Sequence, residues 1–294
     1  MQNPKSPLRP LRHCWQLWVI PKGSAWVRSP HTLFLLYVLI LLCTTTYYLA
    51  TWPIVAGDTD LWYHLNSGRY ILEHKSLPHN SFFSFISPPR AWIDYFWLFQ
   101  VLVYGLYSIS DYYGLIFFRT FLYGLTLVLI LRLLLKHPYA KTSILPIVLI
   151  TLYIMLLTPR YQLIRPYIFT YLFIITFFSI LEFDHKQIKY LPILAILWMN
   201  LHGIVYPLML FIIFSYLIDD LVGHLKDKIP LQRKTFSYII PMVLSMYAIF
   251  LTPHGLSLIG LPFIPTAYAS QYIDRKSTRL NSSHSRASRM PSSA

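Results

Sequence analysis

The sequence predicts an all-α, polytopic integral membrane helix bundle of about seven transmembrane helices, with two juxtamembrane helices in its first outer loop. Three observations carry this. Hydrophobic residues make up 55% of the 294 and charged residues only 12%, about half the charged share of a typical soluble domain. Apolar runs near the roughly 20 residues that cross a bilayer recur along the chain. The basic residues fall in short clusters between those runs, so the net charge of +14 reads as topology signal and lipid contact, with no nucleic-acid partner expected. Cys14 and Cys43 have no motif partner, which predicts neither a disulfide framework nor a zinc site.

Residues 1–32 form a basic arm, with Lys5, Arg9, Arg12, Lys22 and Arg28 and no acid. The positive-inside rule keeps such an arm in the cytoplasm. The first apolar run, 33–50, ends beside Tyr47, Tyr48 and Trp52, aromatic residues that favour the interface. No small-residue cleavage site follows, which predicts an uncleaved anchor. The polar loop 53–93 then brings Asp58, Asp60, His64 and Arg69 together at a membrane edge, where carboxylates need a reason to sit. Within it, Leu61, Leu65, Gly68 and Leu72 recur at helical spacing, so 60–73 is an amphipathic helix lying on the bilayer surface.

The run 95–109 decides the topology. If it spans, the clusters at Arg132, Lys136 and Lys141 and at Lys186 and Lys189 face outward, against the charge rule. As a second surface helix, about 22 Å long, it leaves fourteen Lys and Arg inside and six outside. The later spans are then 113–135, 143–158, 167–181, 191–201, 204–218 and 236–251. The fifth and sixth spans are short and meet at Asn200-Leu201-His202-Gly203. A broken hairpin of that kind is tolerated only where it lines a protein-walled or watery cavity.

On this topology Asp58, Asp60, His64, Arg69, Arg160, Arg165, Asn200, His202 and His254 all fall on the outer side. The sum is an extracytoplasmic cavity with carboxylates at its mouth and cations on its walls. Each group also has a plainer use. Asp58 or Asp60 suits a helix N-cap. His64, one turn after Asp60, either shares a metal or proton with it or steadies the helix. Arg160 and Arg165 either hold an anionic ligand or snorkel to lipid phosphates. Asn200 and His202 suit hydrogen bonds within the hairpin, and His254 suits turn chemistry.

Residues 274–294 are polar and aperiodic, and resemble the in-frame translation of a sequencing-library adapter. They hold five of the 25 basic residues and one of the 11 acidic ones. The expectation is that they are not native and that the natural protein continues beyond Ile273, which would leave this fragment inactive.

The motif Asp58-Thr59-Asp60-Leu61-Trp62-Tyr63-His64, with Gly68-Arg69-Tyr70 and Ser81-Phe82-Phe83, resembles a signature of uncharacterised bacterial polytopic membrane proteins. That group is similar to the GT-C superfamily of polyprenyl-phosphate-sugar glycosyltransferases. Arg165-Pro166, Leu197 to Gly203 and Thr252-Pro253-His254-Gly255 add to the likeness, which covers roughly 33–260 of the module at 33–273. Where that superfamily's relatives carry a His-Glu pair, this chain has Tyr95 and Phe96 after Asp94.

The resemblance implies a glycosyltransferase at the outer face of a bacterial inner membrane, taking a sugar from a lipid-linked phosphate donor. Asp58 would be the base, with Asp60 and His64 supporting it. Arg69, Arg160, Arg165, Asn200 and His202 would bind substrate. A divalent Mg or Mn held by Asp58 and Asp60 is the one cofactor implied. A transporter or flippase of lipid-linked saccharides is the alternative, although the sequence shows no internal repeat.

Overall fold

Each apolar run folds as helix in the computed structural model, whose described residues are 30–54, 59–80, 92–136, 145–227 and 233–263. The elements are α1 (Pro30–Thr51), α2 (Thr59–His74), α3 (Trp97–Lys136), α4 (Leu145–Tyr161), α5 (Tyr167–Glu182), α6 (Leu191–Leu201), α7 (Tyr206–Asp227) and α8 (Arg233–Met246). Short 3-10 turns lie at His185–Tyr190, Gly203–Val205, Tyr247–Leu251 and Gly255–Leu258. There is no strand among the described residues. Residues 1–258 form one unit. Residues 259–294 form a second, whose described part holds a turn at Leu261–Phe263.

The core is mainly apolar, but large apolar side chains are also turned outward and a few polar ones are buried. Leu39 (57%), Phe117 (70%) and Phe211 (70%) are exposed, while Ser67, Gln100 and Arg119 are fully buried. Apolar faces turned outward and polar groups turned inward suit a hydrocarbon surrounding. Several hydroxyls within helices are satisfied locally: Thr44 donates to the Ile40 carbonyl (2.9 Å), Thr45 to Leu41 (2.7 Å) and Thr51 to Tyr47 (3.0 Å).

Among the described residues, two helices are long and apolar enough to cross a membrane, Trp97–Lys136 and Gly203–Gly223. A third qualifies if Tyr238–Leu251 and Gly255–Phe263 count as one bent span. Leu36–Thr51, Pro146–Tyr161 and Tyr167–Glu182 are apolar but shorter. The sequence expectation of a short sixth span is corrected here. Its apolar run stops before Asp219 and Asp220, but the helix continues to Asp227, because carboxylates end a hydrophobic run without ending helical hydrogen bonding.

α3 has 40 residues and would be about 60 Å long if straight, twice the thickness of a bilayer core. It is not straight. Asp111 has φ 52° and ψ −145°, strained values for a residue with a side chain. The break divides α3 into a first segment, 97–110, of about 21 Å and a second, 112–136, of about 37 Å. The segments fold towards each other: a Cβ on Gly114 would lie 2.9 Å from the Leu106 carbonyl oxygen, and the Tyr107 and Tyr112 rings meet at 5.4 Å. The break falls between the two apolar runs separated at the sequence level, 95–109 and 113–135.

α2 packs chiefly on α3. A Cβ on Gly68 would fall on the Gln100 carbonyl oxygen and lie 2.7 Å from Tyr104 Cβ, so only glycine allows this approach. At the other end of α3, Asp184 receives Arg132 (3.1 Å) and Lys136 (2.5 Å), tying that end to the turn after α5.

Arg119 is fully buried. Its guanidinium donates to the carbonyls of Gln162 (2.7 Å) and Leu49 (2.9 Å) and to that of Trp52. It thereby satisfies orphan carbonyls at the C-terminal end of α1, where positive charge is favoured.

Candidate functional site

Asp58 lies outside the described residues, so the geometry of the motif begins at Asp60 in the first turn of α2. Asp60 Oδ2 accepts from Arg165 Nη1 at 2.6 Å, with side chains 50% and 31% exposed. The pair links α2 to the turn between α4 and α5. Two groups expected in separate roles therefore hold each other.

One turn further along α2, His64 is 3% exposed. Its ring stands edge-to-face against Phe96 (5.3 Å) and Phe99 (5.0 Å), and its Nδ1 has no hydrogen-bond partner. Burial, then the neighbouring Arg165 and His202, pull its pKa down to about 3. At neutral pH it is an uncharged imidazole beside a guanidinium.

Phe96 joins His64 to the α6–α7 junction by stacking on His202 at 5.8 Å. The His202 Nδ1 and the Thr170 hydroxyl on α5 are 2.7 Å apart, and Trp198 Nε1 donates to that hydroxyl at 3.3 Å. Asn200 accepts from Trp97 Nε1 (2.9 Å) and donates to the Ile196 carbonyl (2.8 Å). Both arms of this amide serve the hairpin and its junction with α3. The Gly203 amide donates to the Tyr95 carbonyl at 3.0 Å, and a Cβ at Gly203 would lie 2.8 Å from Leu258 Cδ2.

Residues 94–97 are thus a hub, a role that the sequence reading did not give them. Tyr95, Phe96 and Trp97 each reach the α6–α7 junction or its surroundings. Asp94 reaches a fourth segment: His254 Nε2 donates to its carbonyl oxygen at 3.0 Å. Burial lowers the His254 pKa, partly offset by that bond. The only sequence signal for the hub was a run of three aromatics directly before an apolar helix, since main-chain carbonyls and ring stacking leave no motif.

The structure therefore gathers Asp60, His64, Arg165, Asn200 and His202 from α2, the α4–α5 turn and the α6–α7 junction. Arg69 is exposed and lies nine residues from Asp60, about half a turn round the helix, so it does not join them. Arg160 is also exposed, and its carbonyl accepts from the Tyr167 hydroxyl at 2.7 Å. Of the two carboxylates expected to hold Mg or Mn, Asp58 lies outside the described residues and Asp60 pairs with Arg165. Among the described residues no group of three His, Cys, Asp or Glu could hold a metal. No protein-family model, curated protein or solved structure matches the chain.

Proposed function

We propose that the chain is a membrane glycosyltransferase of the GT-C type, moving a sugar from a polyprenyl-phosphate donor to an extracytoplasmic acceptor. In this reading α1, the second segment of α3 and α4–α8 make the seven-helix module, with α2 and the first segment of α3 as the two juxtamembrane helices. The N-terminus is cytoplasmic, in a bacterial inner membrane. The observation that carries the reading is the convergence of Asp60–Arg165, His64 and His202 on one place, from segments 105 and more residues apart.

The chemistry asks for little more. An acceptor hydroxyl attacks the anomeric carbon, the bond from that carbon to the phosphate oxygen breaks, and the phosphate leaves with the polyprenyl chain. Asp58 takes the hydroxyl proton. Arg165 turns from Asp60 to the phosphate, whose oxygens match a guanidinium fork, and Asp60 keeps it positioned beforehand. His64, uncharged, leaves the positive field at the site to arginine.

The test is transfer in vesicles reconstituted with the protein from its uninterrupted natural gene and supplied with a polyprenyl-phosphate-linked sugar. Asp58→Asn should abolish transfer while inserting and purifying as the wild type does. Undiminished transfer by that variant removes Asp58 from the mechanism. Flipping of the donor by the wild type without any transfer would favour the transporter.

A further inference from the structure

Counting donors and acceptors at the α6–α7 junction shows which nitrogen of His202 carries the proton. Trp198 is fully buried and Thr170 is only 5% exposed. An indole N–H can only donate, so in the 3.3 Å contact between Trp198 Nε1 and Thr170 Oγ1 the hydroxyl oxygen accepts. The same oxygen lies 2.7 Å from His202 Nδ1. If Nδ1 carried the ring proton, the hydroxyl would accept twice. Its own O–H, which has no other partner among the described residues, would then be buried unpaired, at a cost native proteins rarely accept. If the hydroxyl instead donates to Nδ1, every polar atom in the chain from Trp198 to His202 is used.

Packing keeps this chain in place. The Trp198 ring stacks on Phe173 at 5.6 Å and meets Phe177 edge-on at 5.3 Å. The His202 amide donates to the Trp198 carbonyl at 2.8 Å, and the His202 ring stacks on Phe96 at 5.8 Å. Burial lowers the His202 pKa to about 4, so at neutral pH the ring holds a single proton. With Nδ1 accepting, that proton sits on Nε2, which has no partner among the described residues. His202 is only half-buried, which leaves room for a ligand to reach it.

We infer that Trp198 and Thr170 are positioning residues: their hydrogen-bond chain fixes His202 with its proton on Nε2 and offers that N–H to a hydroxyl of the sugar on the lipid-linked donor. The sugar contact rests on the glycosyl-transfer reading, whereas the tautomer does not. An uncharged N–H suits a sugar hydroxyl, while phosphate is better matched by the guanidinium fork of arginine. A site built to hydrogen-bond a hydroxyl rejects the analogue that lacks it, so His202 would select among sugars.

The test is nitrogen-15 magic-angle-spinning NMR of the full chain in lipid bilayers, labelled at histidine, with the His202 signals identified by their loss in His202→Gln. The wild type should show a pyridine-like Nδ1 and a pyrrole-like Nε2. Thr170→Val keeps the shape of the side chain and removes the hydroxyl. It should divide the protonated signal between the two nitrogens, and Thr170→Ser should restore the wild-type pattern. A protonated Nδ1 in the wild type would overturn the hydrogen-bond chain, as would an unchanged pattern in Thr170→Val. If Thr170→Val does not fold, the wild-type spectrum still decides. Among polyprenyl-phosphate hexoses, at least one should shift the Nε2 signal. A shift with polyprenyl phosphate alone would place the contact on the phosphate and overturn the sugar assignment. In the protein from the uninterrupted gene, Thr170→Val should slow transfer about tenfold, the weight of one well-placed hydrogen bond, with Thr170→Ser near wild type. Equal transfer by Thr170→Val and wild type would overturn the positioning role. A wild type that shows the Nε2–H tautomer and transfers nothing would remove the glycosyl-transfer reading while supporting the hydrogen-bond chain.

Discussion

Gly68→Ala has an effect whose sign the structure decides. Alanine is the better helix former by about 0.8–1.0 kcal/mol, so in an open helix the substitution stabilises. At Gly68 the new methyl group would fall on the Gln100 carbonyl oxygen and lie 2.7 Å from Tyr104 Cβ. Carbon atoms prefer 3.5–4.0 Å, so α2 must withdraw by about 1 Å. Neither neighbour is a flexible side-chain end that can step aside. Overpacking of this kind costs about 1–3 kcal/mol, more where backbone must move, which leaves a net loss of up to about 2 kcal/mol after the propensity gain. Gly105 and Gly124 provide the control, because a Cβ at either would meet nothing within 4 Å. Thermal unfolding in detergent should place Gly68→Ala below wild type and Gly105→Ala and Gly124→Ala at or above it. Equal stabilities for Gly68→Ala and Gly105→Ala would refute the close docking of α2 on α3, and the placement of His64 with it.

Arg119→Met should strand the Leu49, Trp52 and Gln162 carbonyls, at about 1–3 kcal/mol each; fluorescence-detected size exclusion after heating should show a loss of at least about 3 kcal/mol, with Arg119→Lys intermediate because an ammonium lacks the fork. A wild-type profile for Arg119→Met would contradict the capping role. His64 has a folded pKa near 3, well below its unfolded value of about 6.5. Its stabilisation is full above pH 6.5 and is lost as pH falls towards 3, by up to about 1.4 kcal/mol per pH unit. Asp94, with its carboxyl raised to about 6, has the opposite slope between about pH 4 and 6. The measurement is therefore the difference between wild type and His64→Gln across that range, which should narrow steadily as pH falls; a constant difference would show that His64 is not held uncharged.

Much of the helical layout was legible because each apolar run marks where a helix forms. α6 occupies 191–201 and α5 starts at Tyr167, as read from the sequence. The break in α3 at Asp111 lies in the gap between two apolar runs. α4 extends past its apolar run to Tyr161, through Pro159. Asp60, His64, Arg165, Asn200 and His202 stood out because polar side chains are conspicuous in an apolar chain. What they touch was not legible. The Asp60–Arg165 pair joins positions 105 residues apart, and the two arms of Asn200 are engaged by Trp97 and a main-chain carbonyl, which no spacing rule marks. Arg119 read as one more outer cation, whereas its role depends on which carbonyls a neighbouring helix leaves without donors. Asp94 entered only as the residue before a missing His-Glu pair, because its burial comes from the packing around the start of α3.

Sidedness tests the central claim most directly, because the outer cavity exists only if the first segment of α3 stays on one face of the membrane. With Cys14 and Cys43 replaced by serine, single cysteines at Asn66 on α2 and Lys186 beyond α5, both exposed, can be probed in intact cells with a membrane-impermeant thiol reagent. Asn66→Cys should label in intact cells, and Lys186→Cys only after the membrane is opened. Labelling of both in intact cells would mean that 97–110 crosses the membrane, which would dissolve the one-sided site.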